Sequence, residues 1–210
     1  MELGGALGAD PTRRRLGGCA QRAATPAARR LAVARRPLEA LTGLRDREIE
    51  LRWVDEHDGR RADGIDHDVL DIGVTRDERV DEVAIHLRCC PDGRERTVLH
   101  LDRARREVWL DRDRASLSDD ARGGRYGGQL TLATTRVRIL LDRSIVEVFV
   151  DDRVRLTARI YPSLPESAGL VVAGDRRAVE GVALRAWTLS SIWRLPDHPD
   201  AASEHPAVEA

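Results

Sequence analysis

From Glu48 onward, apolar side chains return at every second position. Ile49, Leu51 and Trp53 alternate with Glu48, Glu50 and Arg52, as in a strand with one wet face. Similar runs follow at 82–90, 95–102, 106–111, 130–134, 136–141, 145–150, 153–161, 169–173 and 181–193. Turn-forming groups such as Pro91-Asp92-Gly93, Gly123-Gly124 and Asp151-Asp152 separate them. Many short strands with no ten-residue helix between them predict an all-β fold. An antiparallel β-sandwich fits better than a parallel sheet with crossover helices. Val146, Val148 and Val150 line one face of one strand, and Val154, Leu156, Ala158 and Ile160 one face of the next, so the pair can bury a shared apolar surface. In the last run, Val182, Leu184 and Ala186 share one face while Ala183, Trp187 and Leu189 share the other. Two partly apolar faces predict a central strand or one covered by a neighbouring domain.

The flanks lack this alternation. Residues 1–45 are rich in Arg, Ala and Gly, with weak helical character from Ala24 to Leu44 interrupted by Pro26 and Pro37, and are expected to be irregular. Residues 195–210 are polar and dotted with proline, so a disordered tail is expected. The sandwich is assigned to 46–194, and the length suits one ordinary domain.

Composition narrows the function classes. With 35 basic and 36 acidic residues the net charge is -1, so no nucleic-acid partner is expected. All basic residues are Arg, and Lys and Asn are absent, which excludes a P-loop lysine, a Schiff base and N-glycosylation. The 3 cysteines suit a reduced compartment better than a disulfide framework. Strand alternation predicts one core residue and one surface thiol for Cys89 and Cys90. No apolar run approaches the roughly 18 residues of a membrane span. The Arg-rich start is not followed by a signal-peptide core, so no membrane association and a cytoplasmic location are expected.

Several groups invite a chemical reading. The stretch from Asp55 to Asp71 holds Asp55, Glu56, His57, Asp58, Asp63, Asp66, His67, Asp68 and Asp71. Its spacing fits neither an EF-hand loop nor a two-histidine metal helix, so a solvated acidic loop is expected, and no cofactor. His86 and His100 lie on adjacent predicted strands but are too few to ligate zinc. Ser144 lacks the Gly-x-Ser-x-Gly elbow of a hydrolase nucleophile. Trp53, Trp109, Trp187 and Trp193 read as core more readily than as a sugar-stacking platform. Leu-Asp-Arg recurs at 101–103, 110–112 and 141–143, where Asp is expected to turn the chain and Arg to pair with it.

Four segments carry a family resemblance. LAVARRPLEALTGLR (31–45), VWLDRDRAS (108–116), LLDRSIVEVFVDDRVRLTARIYPS (140–163) and LRAWTLSSIW (184–193) are similar, in this order, to parts of the C-terminal β-sandwich of glycoside hydrolase family 32. That family holds the invertases, levanases, inulinases and sucrose-6-phosphate hydrolases. The motif positions are Asp111, Arg112, Asp142, Arg143, Ser144, Glu147, Phe149, Thr157, Pro162 and Trp193. They are read as structural, with Glu147 either in a salt bridge across the ladder to Arg155 or Arg159 or a hydrogen-bond acceptor, and Asp142 in the same role with Arg143. Two departures stand out: Ile145 replaces a small residue, and Asp151-Asp152 lacks the glycine of the family's hairpin.

Retaining glycoside hydrolysis needs two carboxyl groups about 5–5.5 Å apart. In family 32 they sit on a five-bladed propeller, in an Asn-Asp-Pro strand and a Glu-Cys pair, with an Arg-Asp-Pro triplet binding substrate. Neither Glu-Cys nor Arg-Asp-Pro occurs here, and the sole Asp-Pro, Asp10-Pro11, lacks the family's flanking residues. GGALGADPTRR (4–14) is faintly similar to the propeller's last blade, either by chance or because the chain is the tail of a longer hydrolase. The resemblance therefore implies a sandwich module without catalytic residues of its own, partnered by a β-fructosidase propeller. The alternative is a free-standing module that binds fructan or sucrose-type carbohydrate, or another protein. An exposed apolar interface and self-association are expected.

Overall fold

Period-two alternation becomes strands wherever a neighbouring strand can satisfy the backbone, and the computed structural model describes residues 37–121, 123–130 and 136–191. The predicted N-terminal segment (apart from 37–45), the C-terminal tail and Trp193 lie outside the described residues, as does most of the run at 130–134.

A 3₁₀ turn, Glu39–Leu44, leads into β1 (Arg45–Ile49), β2 (Arg52–Glu56), β3 (Gly59–Asp63), β4 (Val69–Arg76), β5 (Glu82–Cys89), β6 (Thr97–Asp102) and β7 (Glu107–Asp111). There follow β8 (Arg125–Gln129), β9 (Arg136–Asp142), β10 (Ile145–Val150), β11 (Val154–Arg159), β12 (Gly169–Ala173), the short helix α1 (Arg176–Glu180) and β13 (Val182–Leu189). They form a six-stranded sheet in the order β1-β13-β4-β9-β10-β11 and a seven-stranded sheet in the order β2-β3-β12-β5-β6-β7-β8. Every ladder is antiparallel.

One apolar core joins the inner faces of the two sheets. Leu70, Ile72, Ile139, Val146, Val148 and Leu156 meet Val83, Ile85, Leu99, Val108, Leu110 and Leu170 there. The β10–β11 register pairs Val146 with Ala158, Val148 with Leu156 and Val150 with Val154, which is the shared surface expected from the sequence. On β13, Ala186 is fully buried while Arg185 and Trp187 point to the outer side, so the strand is an interior one between β1 and β4.

Five expectations are corrected. The run at 48–53 is two strands in different sheets: pairing stops at Glu50-Leu51, where the chain crosses from one sheet to the other. The acidic stretch 55–71 is not one solvated loop. It contributes to the β2–β3 hairpin and the start of β4, and Asp71 is 0% exposed. Cys89 and Cys90 are both buried, because Arg88 adopts φ 50 and the β12–β5 register slips beside it, so the alternation breaks there. Trp109 and Trp187 stand on outer faces, while Trp53 packs against the core. Lastly, Leu38, Val54, Leu117 and Tyr161 are the large apolar side chains exposed among the described residues, each on a different segment, so no broad apolar interface is laid bare.

Candidate functional site

The outer face of the six-stranded sheet is recessed and rich in arginine. Register places Glu48, Trp187, Asp71, Leu140, Glu147 and Thr157 in one row across it, and Arg185, Gly73, Arg138, Phe149 and Arg155 in the next. At its centre Asp71 is fully buried. Arg138 donates to it through Nε at 2.9 Å and Nη2 at 2.7 Å, and Arg45 through Nε at 2.7 Å. A carboxylate this far from water needs such charge-assisted partners. Arg45 and Arg185 also lie over the Trp187 ring, with guanidinium carbons 3.7 and 4.8 Å from its centroid. Arg185 grips Glu48 with two bonds and so holds that carboxyl below its usual range. Gly73 provides a floor without a side chain for a hollow of about 390 Å³. Pro37, Glu39 and Thr42 line the rim, so the chain reaches this face from its N-terminal side.

Most of the motif residues gather on or beside this face. Phe149 is buried between Arg138 and Arg155 on neighbouring strands. Glu147 lies opposite Thr157, whose Oγ1 donates to Oε1 at 3.2 Å. Arg155 faces Phe149 and Arg159 faces Ile145, so of the two roles expected for Glu147 the structure shows the hydrogen-bond acceptor and not the ion pair, and Arg159 instead donates to Ser144 Oγ at 2.9 Å. Asp142 and Arg143 are exposed and 3.7 Å apart. Arg143 takes φ 51 in the two-residue β9–β10 connection. The Asp151-Asp152 hairpin closes with φ 44 and 57, a type I′ geometry that aspartate tolerates without glycine.

Of the remaining described motif residues, Asp111 ends β7 of the second sheet, Arg112 follows it, and Pro162 lies in the connection after β11. Asp111 accepts from Arg125 at 2.6 Å, and Arg112 donates to the Arg159 carbonyl at 3.0 Å, which ties the two motif regions together. The expected Leu-Asp-Arg pairing therefore occurs only at Asp142-Arg143. Asp102 is held by Arg105, and Arg103 by Asp81. Pro162 precedes Ser163, which belongs to a hub that sequence reasoning missed. Glu95 is fully buried and accepts from the backbone N–H groups of Leu117 (3.1 Å), Ser163 (2.7 Å) and Leu164 (3.0 Å) and from the hydroxyls of Ser163 and Ser167. In sequence, only its place inside the charged turn Gly93-Arg94-Glu95-Arg96 marks it.

These carboxylates are built to stay ionised. Burial pushes Glu95, Asp102 and Asp111 up, but the hydrogen bonds they accept outweigh it and all three end below their usual values. Arg79 lowers Asp77 to about 2, and the Cys90 thiol together with Arg94 lowers Asp92 to about 2. A glycosidase acid needs the opposite shift. Among the described residues no cluster of three or more His, Cys, Asp or Glu side chains is arranged to hold a metal ion. His86 and His100 occupy diagonal positions on the outer face of the seven-stranded sheet, opposite Val98 and Ala84 respectively.

The family model described as "Glycosyl hydrolases family 32 C terminal" matches residues 40–188. A sucrose-6-phosphate hydrolase of Zymomonas mobilis is 32% identical over 113 residues, which cover 51% of this chain and 21% of that protein. An extracellular exo-inulinase of Aspergillus awamori is 28% identical over 130 residues, covering 59% of this chain and 24% of that protein. The chain thus spans about a quarter of the length of the curated relatives it matches. Among solved structures, the A. awamori exo-inulinase superposes with a TM-score of 0.62 at 24% identity, over 76% of this chain and 33% of that one. Sucrose-6-phosphate hydrolase from Lactobacillus gasseri gives 0.58 at 18%, over 75% and 31%. These likenesses show the sandwich fold, and with the family match across most of its length the chain belongs to glycosyl hydrolases family 32 as a C-terminal domain.

Proposed function

We propose that this sandwich is the accessory module of a β-fructosidase: it lacks catalytic groups of its own and stabilises a catalytic propeller by packing against it through the outer face of the six-stranded sheet. The observation that carries the reading is the recessed Arg45–Asp71–Arg138–Trp187 cluster, on the face that the chain reaches from its N-terminal side. Interfaces between domains of one chain are more polar than obligate ones, which suits a surface of guanidinium, carboxylate and aromatic groups. The downward-shifted carboxyls support the absence of a glycosidase acid.

Fructose release from sucrose, inulin and levan tests the first half, and none above background is expected. For the second half, the propeller portion of a family 32 enzyme is expressed without its sandwich and mixed with this protein. A complex with a raised melting temperature is expected, weakened by Arg138→Glu. Turnover by the sandwich alone, or a complex indifferent to that substitution, overturns the corresponding half.

A further inference from the structure

We propose that the outer face of the seven-stranded sheet carries a saccharide-binding slot built on Trp109, able to take one ring of a neutral oligosaccharide. It is separate from the packing face of the other sheet and does not depend on that role.

The slot follows from register. Trp109 lies between His100 on β6 and Gly127 on β8. The His100 and Trp109 rings stack with centroids 4.8 Å apart and an interplanar angle of 11°. That separation matches the spacing of neighbouring strands, so the two rings stand upright on the sheet with the second indole face turned toward β8. There the opposing residue is Gly127, which has no side chain to cover the indole, and the following residue is also glycine. A slot of about 440 Å³ results, lined by Trp109, Gly127 and Gly128 and open to solvent. Its volume falls within the roughly 300–1,000 Å³ of small-molecule sites.

The ends of the slot are polar. Beyond one end Gln129 Nε2 donates to Glu107 Oε1 at 2.9 Å, and beyond the other Arg125 Nε donates to Asp111 Oδ2 at 2.6 Å. Both pairs flank the Trp109–Gly127 pair in register. A carboxylate and an amide joined by one hydrogen bond keep further acceptor and donor capacity. An aromatic wall with hydrogen-bonding groups at both ends suits a sugar ring, whose C–H face is apolar and whose rim is hydroxyl. Trp187 on the opposite sheet offers no such wall, since two guanidinium groups already occupy its ring.

Gly127 also explains why the indole face stays clear. A Cβ there would come within 2.1 Å of the Val108 carbonyl oxygen and 2.6 Å of the Trp109 Cα, so β8 can approach β7 this closely only with glycine at that position.

The test is calorimetric titration of the purified protein with inulin-derived, levan-derived and maltose-type oligosaccharides. At least one is expected to bind with a millimolar dissociation constant. Trp109→Ala should weaken it at least tenfold, Gln129→Leu several-fold, and Trp109→Phe no more than about threefold, while Val54→Thr on the far edge of the same sheet should leave it unchanged. Circular dichroism and melting curves establish that each variant is folded, and should Trp109→Ala not fold, the Gln129→Leu and Trp109→Phe results decide. Failure of all three sugars to bind, or binding unaltered by the slot substitutions, overturns the proposal. Neither result touches the propeller reading, which stands or falls on complex formation.

Discussion

Asp71 and Arg138 meet through two parallel hydrogen bonds, 2.9 and 2.7 Å long, on the outer face of a sheet where a carboxylate would ordinarily be wet. Because Asp71 has no exposure, removing it strands two half-buried guanidinium groups, and removing Arg138 leaves a buried anion with Arg45 alone. Breaking a buried pair in this way costs about 3–5 kcal/mol. Asp71→Ala is therefore expected to lower the unfolding free energy by about that amount, and Arg45→Ala, which spares the bidentate pair, by about 1 kcal/mol. Urea denaturation of the two variants checks the order. Equal effects would show that the bidentate geometry carries no special weight.

Glu95 joins three connections, those after β5, β7 and β11, through five accepted hydrogen bonds. Glu95→Ala leaves several buried donors without a partner, at about 1–3 kcal/mol each. A loss of about 3 kcal/mol or more is expected, with faster amide hydrogen exchange at Ser163 and Leu164. Exchange unchanged at those two amides would show that the loops hold their shape without the carboxylate.

What could be read from the sequence depended on how far each signal reaches. The β10–β11 face was legible because Val146, Val148 and Val150 answer Leu156 and Ala158 within one hairpin. The strand β4 also alternates, Leu70, Ile72 and Val74 against Asp71, Gly73 and Thr75, but it emerges from an acidic stretch that masks its start, and it is absent from the runs read in the sequence. The burial of Asp71 depends on Arg45 and Arg138, 26 and 67 positions away, and no local pattern announces such partners. The αL conformation of Arg88 likewise leaves no mark in composition, so the burial of both cysteines was hidden. Alternation placed Trp109 and Trp187 on a definite side of their strands. It did not say which side faced the core, because both sides carry apolar groups.

The departure from the family's hairpin gives a stabilising prediction. Asp151 and Asp152 both hold positive φ, at 44 and 57, where a side chain costs roughly 1 kcal/mol that glycine avoids. Asp151 Oδ1 also accepts from the Arg136 N–H at 3.0 Å, so only Asp152 is dispensable. Asp152→Gly is expected to raise the unfolding free energy by about 0.5–1 kcal/mol, less the extra freedom glycine gives the unfolded chain. Asp151→Gly should gain less because it forfeits the bond to β9. The two denaturation midpoints, measured side by side, check the ranking.

Stability should fall with acid in two stages, the first set by His86. Burial, with the nearby charges of Arg96 and His100, lowers its pKa from 6.5 to about 4, while Glu56 opposes and Arg61 adds to the shift. The unfolded chain takes up this proton near pH 6.5 and the folded chain only near pH 4. Between those values the unfolded state binds more protons, so the stability held above pH 6.5 drains away as pH falls and levels off below 4. His100 is lowered by burial in the same direction and adds to this stage. The carboxyls of Asp77 and Asp92, lowered to about 2, act only below their unfolded values near 3.8, which makes a second stage. Urea midpoints from pH 7.5 to 3 should show both stages, and His86→Gln should flatten the first while leaving the second. A variant as acid-sensitive as the parent between pH 6.5 and 4 would assign that stage to His100 or to other groups.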